Sequence, residues 1–171
     1  MTFRSLITAA LIVSAGATHA ETRHICWRGA NGYIMTGQFE YPDALAARAV
    51  IREDDLVAFR IEGFRDGVLI GAWSLDQLEP GTSWLFRYDP GRHIFPLSDP
   101  GGLYQMWNAN GMVNDCGTPG FGFNAGNGGQ DICLDDTFLT ASTIDPATPL
   151  IGFARPQSPD CIGQPLLGKA R

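Results

Sequence analysis

Apolar and polar positions along this chain alternate with a period of two far more often than with a helical period. In "DLVAFRIEGF" (55–64), Val57, Phe59 and Ile61 alternate with Ala58, Arg60 and Glu62, the pattern of a half-buried strand. Arg65-Asp66-Gly67 follows, and then "VLIGAWSL". Asp-Gly between two apolar runs predicts a tight hairpin, because both central positions of that turn tolerate positive φ. "SWLFRYDPGRHIFPL" repeats the scheme: Trp84, Phe86 and Tyr88 share one face, "DPG" turns, and His93 to Leu97 returns. "HICWRG" and "GYIMTGQFEY" predict two strands around Ala30-Asn31-Gly32. Further strands are predicted in "LYQMWN" (103–108), "GFGFN" (120–124), "DICL" (131–134), "FLTAS" (138–142) and "LIGFA" (150–154). Only "PDALAARAV" (42–50) reads as a helical turn, or else as a loop running into a strand.

Roughly nine or ten short strands separated by frequent turns predict a mainly β, antiparallel fold. The expectation is a single β-sandwich or jelly-roll-like domain stapled by disulfides, with an up-and-down β-barrel as the alternative. Twenty-one glycines and eleven prolines, spread along the chain, supply the turns that so many strands need. No repeat of fixed period and no interdomain linker interrupts the pattern.

The first twenty residues change the picture of where the protein acts. "MTFRSLITAALIVSAGATHA" carries Arg4, an apolar run from Leu6 to about Ala15, and small residues Thr18 and Ala20 at the −3 and −1 positions of a cleavage site. The run is shorter than the ~20 residues of a membrane span. Residues 1–20 therefore read as a signal peptide and 21–171 as the mature domain, ending in a Pro/Gly-rich segment. The periplasm or the medium of a bacterium is the expected location. The net charge of −6 becomes more negative without Arg4, which disfavours phosphate backbones and anionic lipid surfaces, so nucleic acid is not an expected partner.

Four cysteines in an exported chain read as two disulfides. Of the three pairings, the nested one, Cys116–Cys133 with Cys26–Cys161, is the expectation. A zinc site built from the four thiolates would need close pairs such as C-x-x-C, and none exists.

The stretch "CGTPGFGFNAGNGGQDIC" (116–133) carries the most distinctive chemistry. Gly120, Gly122 and Ala125 match a dinucleotide spacing, but the glycines that follow cannot continue as the helix such a site requires. Phe121 and Phe123 instead alternate like a strand, and the glycines let the backbone turn before "DIC" returns, which predicts a hairpin tied by its cysteines. Calcium is the one cofactor the stretch leaves open, with Asp131, Asp135 and Asp136 as ligands beside loop carbonyls.

Among the aromatic residues Trp73, Trp84, Tyr104 and Trp107, core packing is the default, since each ring buries a large apolar area. Trp107 is the expected exception. With Tyr104, Gln105, Asn108 and Asn110 it combines a ring with amide donors and acceptors, as a polar or glycan ligand would require. No catalytic residues are assigned: neither His24 nor His93 sits in a nucleophile motif, and nothing selects a pair among Glu40, Glu62, Asp76 and Asp89 for glycoside hydrolysis.

Together, "GYIMTGQFEYPD…DLVAFRIEGF", "WLFRYDP" and "GFGFNAGNGGQDI" resemble small β-rich exported bacterial proteins of the kind that often carry PEP-CTERM sorting tails. The tail motif itself is absent here. That resemblance implies export and a β-rich domain, and no defined activity. The functional expectation is an exported, non-catalytic binding module, for glycan or an envelope component. A small secreted carbohydrate hydrolase and a structural or interaction protein are the alternatives.

Overall fold

The computed structural model describes residues 19–97, 105–158 and 160–161. Among the described residues thirteen strands follow one another: β1 (Ala20–Arg28), β2 (Tyr33–Pro42), β3 (Ile51–Arg52), β4 (Ala58–Arg65), β5 (Val68–Ser74), β6 (Trp84–Leu85), β7 (Arg87–Tyr88), β8 (Ile94–Phe95), β9 (Gln105–Trp107), β10 (Phe121–Gly126), β11 (Gly129–Leu134), β12 (Thr137–Phe138) and β13 (Leu150–Phe153). They form a six-stranded sheet, β5-β4-β2-β1-β13-β8, and a five-stranded sheet, β12-β11-β10-β9-β6, with a β3-β7 ribbon beside them. Every pairing is antiparallel. Each sheet keeps two edges, so neither closes on itself and the barrel alternative falls.

Period-two alternation puts the large apolar side chains of both sheets between them. Ile25 and Trp27 of β1, Met35, Phe39 and Tyr41 of β2, and Phe59 and Ile61 of β4 are buried in one cluster with Trp107, Phe121, Phe123 and Ile132 of the second sheet. Rings from the two sheets meet directly: Trp27 lies edge-on to Phe123 at 5.3 Å, and Phe59 to Trp107 at 5.1 Å. Gly63 and Gly71 let the sheets approach, because a Cβ at either would fall within 3 Å of the Phe121 side chain. The sandwich expectation holds.

The β4–β5 hairpin turns at Asp66 and Gly67, with φ of 52° and 79°, the positive values its sequence demands. The segment after Pro42 forms only a 3-10 turn, Asp43–Leu45. Val57 is 59% exposed because the strand begins one residue later, after a 3-10 turn at Glu53–Asp55. The strand expected at 138–142 is mostly another such turn. Thr137–Phe138 pairs with β11, while Thr140–Ser142 winds so that the Ser142 hydroxyl accepts the Ile132 N–H at 3.0 Å.

Both expected disulfides are formed, Cys26–Cys161 with Cα atoms 5.6 Å apart and Cys116–Cys133 at 6.2 Å. No helix among the described residues is long and apolar enough to cross a membrane. Most of the expected leader, residues 1–18, lies outside the described residues, and Ala20 opens β1.

Candidate functional site

The register of β9 decides the fate of the aromatic-amide cluster. Gln105 and Trp107 point into the sandwich and Met106 points out. Trp107 is 0% exposed and packs against Phe59, Phe86, Phe95 and Phe123, so it cannot offer a stacking face to a sugar. Its neighbours are equally committed to structure. The Gln105 amide donates to Arg87 O at 2.9 Å and Pro96 O at 2.8 Å, and accepts from Arg87 N at 3.0 Å. Asn108 donates to Cys116 O at 3.1 Å and Phe121 O at 2.8 Å, and Asn110 accepts from Met112 N at 3.0 Å. Tyr104 lies outside the described residues. The five residues expected to form a binding site are a core ring and three amides that fasten backbone, with one member undescribed.

The aspartates expected to hold calcium divide in the same way. Asp135 and Asp136 occupy the β11–β12 turn with φ of 48° and 54°. Asp135 accepts the Gly120 N–H at 2.9 Å. Asp136 accepts from Cys116 N at 2.8 Å, Gly117 N at 2.6 Å and the Thr118 hydroxyl at 3.1 Å. These bonds, that from Cys116 first, hold its carboxyl below the usual range. Both side chains fasten the 116–120 loop, and Asp131 faces elsewhere. Among the described residues no group of three or more His, Cys, Asp or Glu side chains is placed to hold a metal ion. Three of the four carboxylates named for hydrolysis are similarly occupied: Glu62 pairs with Arg60, Asp76 with the Ser74 hydroxyl, and Asp89 with the Arg92 N–H.

Asp131 belongs to a different arrangement. On the hairpin β10–β11, Asn124 lies opposite Asp131, and Met106 of β9 lies opposite Asn124. This row is on the outer face, away from the core that Phe123 and Ile132 enter. The loop after β9 folds back over that face, where Ala109, Val113, Cys116 and Cys133 form a second small apolar cluster closed by the disulfide. Between sheet and roof lies a cavity of about 460 Å³, lined by Met106, Val113, Asn124, Asp131, Phe138 and the glycines of the β10–β11 turn. Asp131 is only 4% exposed and Asn124 only 6%. Asp131 Oδ1 is buried with no hydrogen-bond partner. With no compensating charge, burial pushes this carboxyl from 3.8 up to about 7.

Two other depressions are present. One, of about 410 Å³, lies on the outer face of the six-stranded sheet between His24, Gln38, Arg60 and Phe64. The other, of about 430 Å³, lies between the 77–82 and 115–121 segments, where Glu79 and Asp115 are exposed. Of the buried side-chain atoms left without a partner among the described residues, only Asp131 Oδ1 belongs to a residue lining any of these three cavities. Asn124 was missed as a site residue by sequence reasoning. The signal was present, since alternation with Phe121 and Phe123 sends Asn124 outward and the hairpin return sets it across from Asp131.

Comparison with protein-family models, with curated proteins and with solved structures finds no match.

Proposed function

We propose that the protein is an exported, non-catalytic binding module whose small polar ligand sits in the Asp131–Asn124 cavity. The carrying observation is the pair of buried polar side chains that line one cavity, one of them a carboxyl whose Oδ1 has no hydrogen bond. Native interiors rarely leave such groups unsatisfied, because each costs about 1–3 kcal/mol, so a site of this kind calls for a partner from solution. Export is supported by the leader-like residues 1–20 and by two formed disulfides. The non-catalytic reading is supported by the lining itself. Asp131 is its one titratable residue among those described, so the wall holds no second carboxylate for glycoside chemistry and no histidine, cysteine or lysine to act with Asp131. The glycan version of the sequence expectation loses its platform with the burial of Trp107.

A fragment library screened by ligand-observed NMR tests this reading. Gly128→Phe serves as the blocking variant, because Gly128 lines the cavity and a Cβ there meets nothing within 4 Å. Hits that bind the native protein and fade with Gly128→Phe are the expected result. A screen without hits, or hits indifferent to Gly128→Phe, overturns it.

A further inference from the structure

The chemistry of the cavity wall narrows the ligand further, granted the binding function proposed above. We infer that the cavity selects a small organic cation, an ammonium group that ion-pairs with Asp131 and donates a second hydrogen bond to Asn124 Oδ1. Its alkyl part lies against Met106, Val113 and Phe138.

The argument starts from charge. From β9, β10, β12 and the roof loop, the residues lining the cavity are Met106, Asn124, Phe138, Gly111 and Val113, all uncharged, and the β10–β11 turn adds only glycines and Asn127. No lysine, arginine or histidine of the wall can neutralise Asp131. A buried carboxylate without a counter-ion is strongly disfavoured, whereas one paired with a cation and hydrogen-bonded is tolerated. A neutral ligand leaves that deficit in place. A ligand that brings a positive charge removes it. The remaining wall suits the rest of such a molecule: Met106 is polarizable, Phe138 is 36% exposed at the rim and can present a ring to an ammonium group, and Asn124 offers an acceptor oxygen. The chain's net charge of −6 also favours approach of cations over anions.

Proton linkage follows. Burial holds much of Asp131 protonated below pH 7 in the free protein, and a bound ammonium group requires the carboxylate. Cation binding therefore releases a proton, and affinity falls as pH drops.

The test uses the oxidised protein, 21–171, titrated with n-butylammonium and with n-butanol, which shares its shape and lacks its charge. Binding is read from the Asn124 side-chain amide signals and from calorimetry. The expected result is that n-butylammonium binds about tenfold more tightly at pH 8 than at pH 6, and at least about tenfold more tightly than n-butanol at pH 8. Asp131→Asn should abolish that binding while keeping a thermal midpoint at pH 8 at or above that of the native protein, which separates lost recognition from lost folding. Equal binding of the two probes, or tighter n-butylammonium binding at pH 6, overturns the cation inference and leaves the binding function standing. No response of Asn124 to either probe, with library hits still displaced by Gly128→Phe, also overturns the cation inference alone. No response together with an empty library screen overturns both.

Discussion

An unpaired carboxyl inside a wall of neutral side chains makes Asp131 a cost to the fold that grows with pH. An unfolded aspartate ionises near pH 3.8, whereas burial moves the native group to about 7. Below both values each state keeps its proton and no difference arises. Between them the unfolded chain loses a proton that the native state retains, so stability falls as pH rises from about 4 to 7 and is level above that. Asp131→Asn should therefore stabilise the protein at pH 8 by about 1–3 kcal/mol, a range reduced for water that reaches the cavity, and change little at pH 4. Urea midpoints at the two pH values check this. Trp107→Ala should do the opposite, costing about 3–5 kcal/mol at any pH because the ring is fully enclosed by Phe59, Phe86, Phe95 and Phe123. The contrast shows where residue-level reading of the sequence runs out. "QMWNAN" looks like a ligand site because its amides are adjacent in sequence, yet neighbouring residues of a strand face opposite ways and the amides are consumed by backbone groups. Asp131 was legible as a functional candidate, but its chemistry as a lone buried acid depends on a roof that local sequence does not reveal.

The elements around the cavity divide the work between hairpin and roof. The β10–β11 hairpin supplies both polar side chains, and the Cys116–Cys133 bond with Asp136 holds the returning loop over them. Replacing both cysteines by serine should remove about 3 kcal/mol of stability from this short closed loop and weaken n-butylammonium binding, while Cys26–Cys161 stays formed. Asp136→Ala should leave the hairpin intact and speed amide exchange at Cys116 and Gly117, which lose their acceptor; hydrogen-exchange NMR reads this directly. Hairpins were legible where the turn chemistry was explicit, as at Asp66-Gly67. The two-residue strands β3, β6, β7 and β8 were only partly so, since pairing with distant segments defines them and no period can be read from two residues.

Across the whole molecule, two sheets of opposite outer character share one aromatic core. The outer face of the six-stranded sheet carries cross-strand polar residues such as Gln38 and Arg60 opposite one another, as an antiparallel sheet facing water does. Over β10 and β11 the outer face of the five-stranded sheet is instead covered, and the covering creates the cavity. Alternation and turn residues were enough to anticipate the sandwich, and the cysteine count two disulfides; which cysteines pair was not readable, because three pairings fit the same count and only the fold brings Cys26 to Cys161 and Cys116 to Cys133. The site was less legible because it needs three segments, β9, the roof and the hairpin, to meet. The most direct measurement is a carbon-detected NMR titration of the Asp131 carboxyl, with and without n-butylammonium. A midpoint near 7 that falls when n-butylammonium is added is the predicted result. A midpoint in the ordinary aspartate range, unmoved by the cation, would contradict the site and its ligand together.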